Sequence, residues 1–183
     1  MKRALATIAL TCVLATSTAA TNRAGRPMII HRLPELGLEI WTEQDPEWET
    51  YFSRHHQVPT WIAETPALTY PPAQMSWTSS RQIRFTNDEL ESAARGAIDQ
   101  VAANYGVRSP SQIIIKGQRH GELIGYEATF EATSRQIPID VQIFVGHQPG
   151  KPVVAMHVAT LRNKLGHLDQ HIRRSWGNVR YLD

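Results

Sequence analysis

Cysteine is nearly missing from this chain: one residue, Cys12, in 183. It lies in a stretch laid out as a secretion signal, so the chain left after processing is expected to hold none. That excludes disulfides, thiolate nucleophiles and cysteine-built metal sites together. An excess of charge of one sign is also lacking. Nineteen Lys and Arg face seventeen Asp and Glu, and removal of Lys2 and Arg3 with the signal leaves seventeen of each. Nucleic-acid binding therefore has no electrostatic footing. No run after residue 20 is apolar enough to cross a bilayer. The motifs of common chemistries are missing as well: no G-x-S-x-G nucleophile elbow, no phosphate-cradling glycine loop and no H-E-x-x-H. No Ser/His/Asp set is singled out by position, and no cofactor is expected.

The first twenty residues carry the clearest information. Lys2 and Arg3 form a cationic start and Ala4–Ala15 a short apolar run. Ser17-Thr18-Ala19-Ala20 offers small residues for cleavage after Ala19 or Ala20, the arrangement of a signal peptide. Cys12 follows Ala9-Leu10-Thr11, which is not a lipobox. A periplasmic or secreted location is expected, with another exported protein as the partner.

Residues 21–80 hold seven of the eleven prolines and four of the five tryptophans. Proline at that density excludes long helices and keeps strands short. Short strands are expected at Pro27–Arg32, Leu36–Thr42, Pro59–Glu64 and Gln74–Ser79. One or two helical turns are expected over Asp45–Phe52, with Pro46 at the first helical position. The segment reads as a wrapping around the core of the same domain, because it has too few periodic apolar residues for a core of its own.

Residues 81–183 read as the α-β-β-β-β-α core. A helix is expected over Arg81–Tyr105, with Thr86 and Glu89 as a capping box. Its apolar stripe contains Leu90, Ala94, Ile98, Ala102 and Tyr105, and Gly106 is placed to end it. Ser111–Gly117 is expected as an interior strand through Ile113-Ile114-Ile115. Three antiparallel strands follow, Leu123–Thr133, Ile137–His147 and Val153–Leu161. The first two alternate apolar and polar residues with period two. The third is apolar at nearly every position, as a strand covered on both faces is. A last helix over Lys164–Trp176 presents Leu165, Leu168, Ile172 and Trp176. The fold class is α+β, an antiparallel sheet with helices packed on it in an α/β/α sandwich.

The run Ile124-Gly125-Tyr126-Glu127-Ala128-Thr129-Phe130, with the paired strands Ile137–Val145 and Val153–Leu161 and the helix over Leu168–Trp176, resembles the PsbP-like fold. The resemblance covers about half the chain, Thr86 to Trp176, and rests on pattern. It implies an accessory or protein-binding domain and brings no catalytic residues.

Candidate binding residues are Trp48, Tyr51, His55, His56 and Trp61, since Trp and Tyr dominate binding hot spots. His167 and His171 are four apart, a spacing that can grip a metal, but further ligands are missing from the neighbouring sequence. His157 reads as a satisfied core histidine. The expected function is an exported, non-enzymatic protein-binding domain, an immunity protein that neutralises a secreted toxin. The alternatives are a periplasmic small-ligand or lipid carrier and a metal-dependent hydrolase.

Overall fold

The computed structural model describes residues 19–21, 27–53, 58–80 and 83–183. In chain order the elements are β1 (Ala19–Thr21), β2 (Pro27–Leu33), β3 (Leu38–Glu43), β4 (Glu49–Phe52), β5 (Thr60–Glu64), β6 (Ala73–Ser80), α1 (Asn87–Asn104), β7 (Lys116–His120), β8 (Leu123–Ser134), β9 (Ile137–His147), β10 (Val153–Leu161), α2 (Asp169–Trp176) and β11 (Arg180–Tyr181). They make a four-stranded sheet, β1-β2-β3-β11, and a seven-stranded sheet, β4-β5-β6-β10-β9-β8-β7. Every pairing is antiparallel. The fold is α+β and dominated by sheet.

Strand alternation gives the large sheet two apolar faces. On one, Ile139, Val141, Ile143 and Val145 of β9 and Ala128 and Phe130 of β8 meet Ala94, Ile98 and Ala102 of α1. On the other, Met75 and Trp77 of β6 and Met156 and Val158 of β10 meet Leu38 and Ile40 of β3 and Ile172 and Trp176 of α2. The small sheet and α2 therefore share the second core.

The helix α1 starts at Asn87, later than the expected Arg81. Thr86 caps it and closes the expected box with Glu89, and the amide and hydroxyl of Thr86 hold the Glu89 carboxyl below its usual range. Ile83–Phe85 are not helical, and Arg81 and Gln82 lie outside the described residues. At the far end Gly106 takes φ +75° and turns the chain away.

Other expectations need correction. Asp45–Phe52 is not helical: Gln44 bridges to Glu47, and Glu49–Phe52 pairs with β5 as an edge strand. Its side chains fit a strand once a neighbouring edge offers hydrogen bonds, a non-local condition. Ser111–Gly117 is not an interior strand either. A 3-10 turn covers Pro110–Gln112, Ile113 is buried and Ile114 is 74% exposed. The strand begins at Lys116 and forms the sheet edge. The last helix is split into a 3-10 turn, Leu165–Leu168, and α2. β1 spans the expected cleavage point, and residues 1–18 of the expected signal lie outside the described residues.

Gly125 and Gly146 face each other across β8 and β9. A Cβ on Gly125 would stand 2.9 Å from Cζ of Phe144 and one on Gly146 2.6 Å from its Cε1, while Phe144 is fully buried. Either glycine replaced by alanine should overpack this spot and cost about 1–3 kcal/mol in urea unfolding.

Candidate functional site

The uncovered part of the large sheet is where chemistry collects. α1 packs over β8 and β9, and only its C-terminal end, at Val101, Asn104 and Tyr105, reaches toward the same face of β5, β6 and β10. The sequence of β6 suits that exposure. Ala73, Met75 and Trp77 point into the second core, whereas Gln74, Ser76 and Thr78 point to the open side and are half-buried. His157 lies opposite Ser76 on β10, flanked on its own face by Ala155 and Ala159. One register row thus reads Ile62, Ser76, His157, Ile143. Here the expectation of a β10 covered on both faces fails. Val154, Met156 and Val158 are buried, and the alternate residues are only partly so.

The end of α1 overhangs this row. Tyr105 Oη lies 3.1 Å from His157 Nε2, with the two rings stacked at 5.7 Å. Ser76 Oγ lies 3.5 Å from His157 Nδ1. Burial lowers the imidazole pKa to about 4 and raises that of the Tyr105 phenol. At neutral pH the ring is therefore uncharged, with one donor and one acceptor nitrogen. If Tyr105 donates to Nε2, Nδ1–H donates to Ser76 and the serine proton is left over. With the other tautomer, Ser76 donates to Nδ1 and the tyrosine proton is left over. In both cases one hydroxyl proton has no partner within the array.

A cavity of about 400 Å³ surrounds this array, walled by Ile62, Val101, Ile143 and Ala155 on the apolar side and by Thr60, Gln74, Thr78 and Asn104 on the polar side. A second hollow of about 550 Å³ adjoins it, sharing Gln74 and Tyr105 and reaching Glu64, Arg135 and Ile137. The Oε1 atom of Glu64 accepts from Tyr51 Oη at 2.9 Å and from Gln74 Nε2 at 2.5 Å. The two hollows form one groove of the size and mixed lining of small-molecule sites.

The residues singled out from sequence fall mostly elsewhere. Trp48 and Trp61 are 5% and 3% exposed, so neither offers a surface. Trp61 tilts against Trp77 at 5.1 Å and His31 at 4.7 Å. Bulky aromatics in a segment with few other apolar residues make the core there, which explains their burial. Tyr51 is 44% exposed on edge strand β4 and reaches the groove through Glu64. His55 and His56 lie outside the described residues. His167 is exposed in the 3-10 turn before α2, so the two histidines do not share a helix. His171 instead pairs with Glu43, Nδ1 to Oε2 at 2.8 Å. Among the described residues no three His, Cys, Asp or Glu side chains gather as metal ligands.

Ser76, Gln74, Asn104 and Tyr105 are not identified by sequence reasoning. One usable signal is the polar alternation Gln74, Ser76, Thr78 in a strand whose other face is Ala, Met and Trp.

No protein-family model matches the chain, and no curated protein does. Among solved structures, a protein from Bacteroides thetaiotaomicron aligns with a TM-score of 0.53 at 5% identity, over 84% of this chain and 48% of that one. A protein of unknown function from Pseudomonas aeruginosa aligns with a TM-score of 0.42 at 12% identity, over 82% and 94%. This chain spans about half the length of the Bacteroides protein. That likeness is one of fold alone.

Proposed function

We propose that this protein is an exported, non-enzymatic binding domain of α/β/α, PsbP-like architecture, and that it receives a small molecule in the groove beside Tyr105. The observation that carries the reading is the Ser76–His157–Tyr105 array, which is fixed at three points and keeps one hydroxyl proton for a ligand. Fixed polar groups in a mostly apolar recess are what small-ligand sites use for orientation. A binding role suits the array better than catalysis. An imidazole with a pKa of about 4 is a weak base near neutrality, and among the described residues no carboxylate hydrogen-bonds to it. The signal-like start supports export.

The immunity-protein reading loses its tryptophan surface and keeps one argument. Leu68 is fully exposed, and Tyr70 and Ile137 are largely so, the first two in the loop between β5 and β6 and the third at the start of β9. Exposed apolar groups of this kind suit a protein partner, and Ile137 also lines the outer hollow.

Native mass spectrometry of the protein purified from the envelope of its own host separates the two. The expected result is a bound mass of small-molecule size that is lost in Ala155→Phe, whose ring projects into the cavity. A protein partner at equal stoichiometry, retained by Ala155→Phe, would replace the small-ligand reading with the immunity reading.

A further inference from the structure

We infer, resting on the groove reading above, that the ligand is a neutral, hydroxyl-rich molecule with one apolar face: a saccharide. The first argument is charge. Among the described residues no ionised side chain lines the inner cavity, and His157 is neutral there. An anion or ammonium placed in it would be desolvated without a counter-charge, which costs far more than burying a neutral hydroxyl. Glu64 and Arg135 stand only in the outer hollow.

The second argument is the set of hydrogen-bonding positions left over once internal bonds are counted. Gln74 donates one amide N–H to Glu64, which leaves its other N–H and its carbonyl. Asn104 accepts from Gln100 through Oδ1 at 3.1 Å, which leaves its amide nitrogen as a donor. The array adds one hydroxyl proton. Donors and an acceptor therefore face the same small space. Groups that both give and accept a hydrogen bond satisfy such a mixture, and hydroxyls do so most simply. A fatty chain would leave the hydroxyl proton of the array and the Gln74 carbonyl unsatisfied.

The third argument is shape. Ile62 and Ile143 close the two ends of the register row, with Ser76 and His157 between them and Ala155 and Val101 at the side, so apolar flanks frame a polar centre. Such flanks suit the C–H groups of a pyranose ring, while its hydroxyls reach Ser76, Gln74 and Asn104.

The test is an amide chemical-shift titration of the labelled full chain. The probes are maltose, cellobiose and diacetylchitobiose, with glucose 6-phosphate, glucosamine and lauric acid as charged and lipid comparisons, and a small-molecule extract of the host envelope. The expected result is that a neutral disaccharide, or a neutral saccharide of the extract, shifts Ser76, Asn104, Tyr105 and His157. Ser76→Ala and Gln74→Leu should each weaken it by about three- to tenfold, the share of one neutral hydrogen bond. Two variants guard against either one failing to fold. If the phosphate, the amine, lauric acid or a non-saccharide component shifts those residues instead, the ligand class is wrong and the groove stands. If nothing in any class, extract included, shifts them, both the ligand class and the groove reading fall.

Discussion

Arg174→Ala should destabilise the fold by about 3–5 kcal/mol, the range for removing one partner of a buried ion pair. Arg174 Nη1 meets Glu43 Oε1 at 2.9 Å, and the two side chains are 8% and 3% exposed. His171 approaches the other carboxylate oxygen, and Ser175 donates to the Trp41 carbonyl at 2.5 Å. These contacts dock α2 on β3, and so hold the small sheet against the large one. Taking away the guanidinium leaves the Glu43 carboxylate desolvated with its strongest cation gone. The double change Glu43→Leu with Arg174→Met should recover much of the loss, because the buried carboxylate and guanidinium are then both absent. Urea unfolding of the three variants measures this. By contrast, the exposed pair of Arg162 and Glu131 should contribute no more than about 1 kcal/mol. A loss below that level for Arg174→Ala would mean that packing alone seats α2.

The second large effect is on acid stability. His157 and His31 are each held at a pKa of about 4 by burial, against an ordinary 6.5. His31 lies between the Thr42 hydroxyl at 2.8 Å and the Trp61 ring. In both cases the unfolded chain takes a proton over a pH range in which the folded chain does not. The linkage sign follows: stability rises with pH wherever the unfolded state binds more protons. Each histidine's contribution is complete above about pH 6.5 and is withdrawn as pH falls toward about 4. Each is worth about 3 kcal/mol at most, from the free-energy equivalent of a pKa difference. Denaturation midpoints should therefore drop steeply across that window. His157→Gln, which keeps hydrogen bonds to Ser76 and Tyr105 within reach, should flatten the curve and leave the share of His31.

Local signals in the sequence were legible where the structure depends on neighbours along the chain. The capping box at Thr86, the positive φ of Gly106, the alternation of β8 and β9 and the buried stripe Leu168, Ile172, Trp176 all belong to this class. The failures share a cause. Whether Glu49–Phe52 forms a strand depends on the edge that β5 presents. Whether Ile114 is buried depends on where the sheet ends, and β7 turns out to be that end. Trp48 and Trp61 looked available because little else apolar surrounds them in sequence, yet β3, β6 and α2 supply their cover from afar.

The groove was the least legible feature because it is made by what α1 does not cover. α1 seats its alanine stripe on β8 and β9 and leaves β6 open, and nothing within β6 or β10 alone says which face is bare. His157 was identifiable as a histidine in an apolar strand. Its two hydroxyl partners come from residues 81 positions before it and 52 before it, a separation no local pattern spans.

The most direct test of the binding reading is a high-resolution crystal structure of the protein purified from its own host with whatever it carries. Density for a small molecule against Ser76, His157 and Asn104, with Tyr105 closing over it, is the predicted result. A groove holding only ordered water, with a ligand or partner seated on the Leu68–Tyr70 loop or along β4 instead, would contradict it.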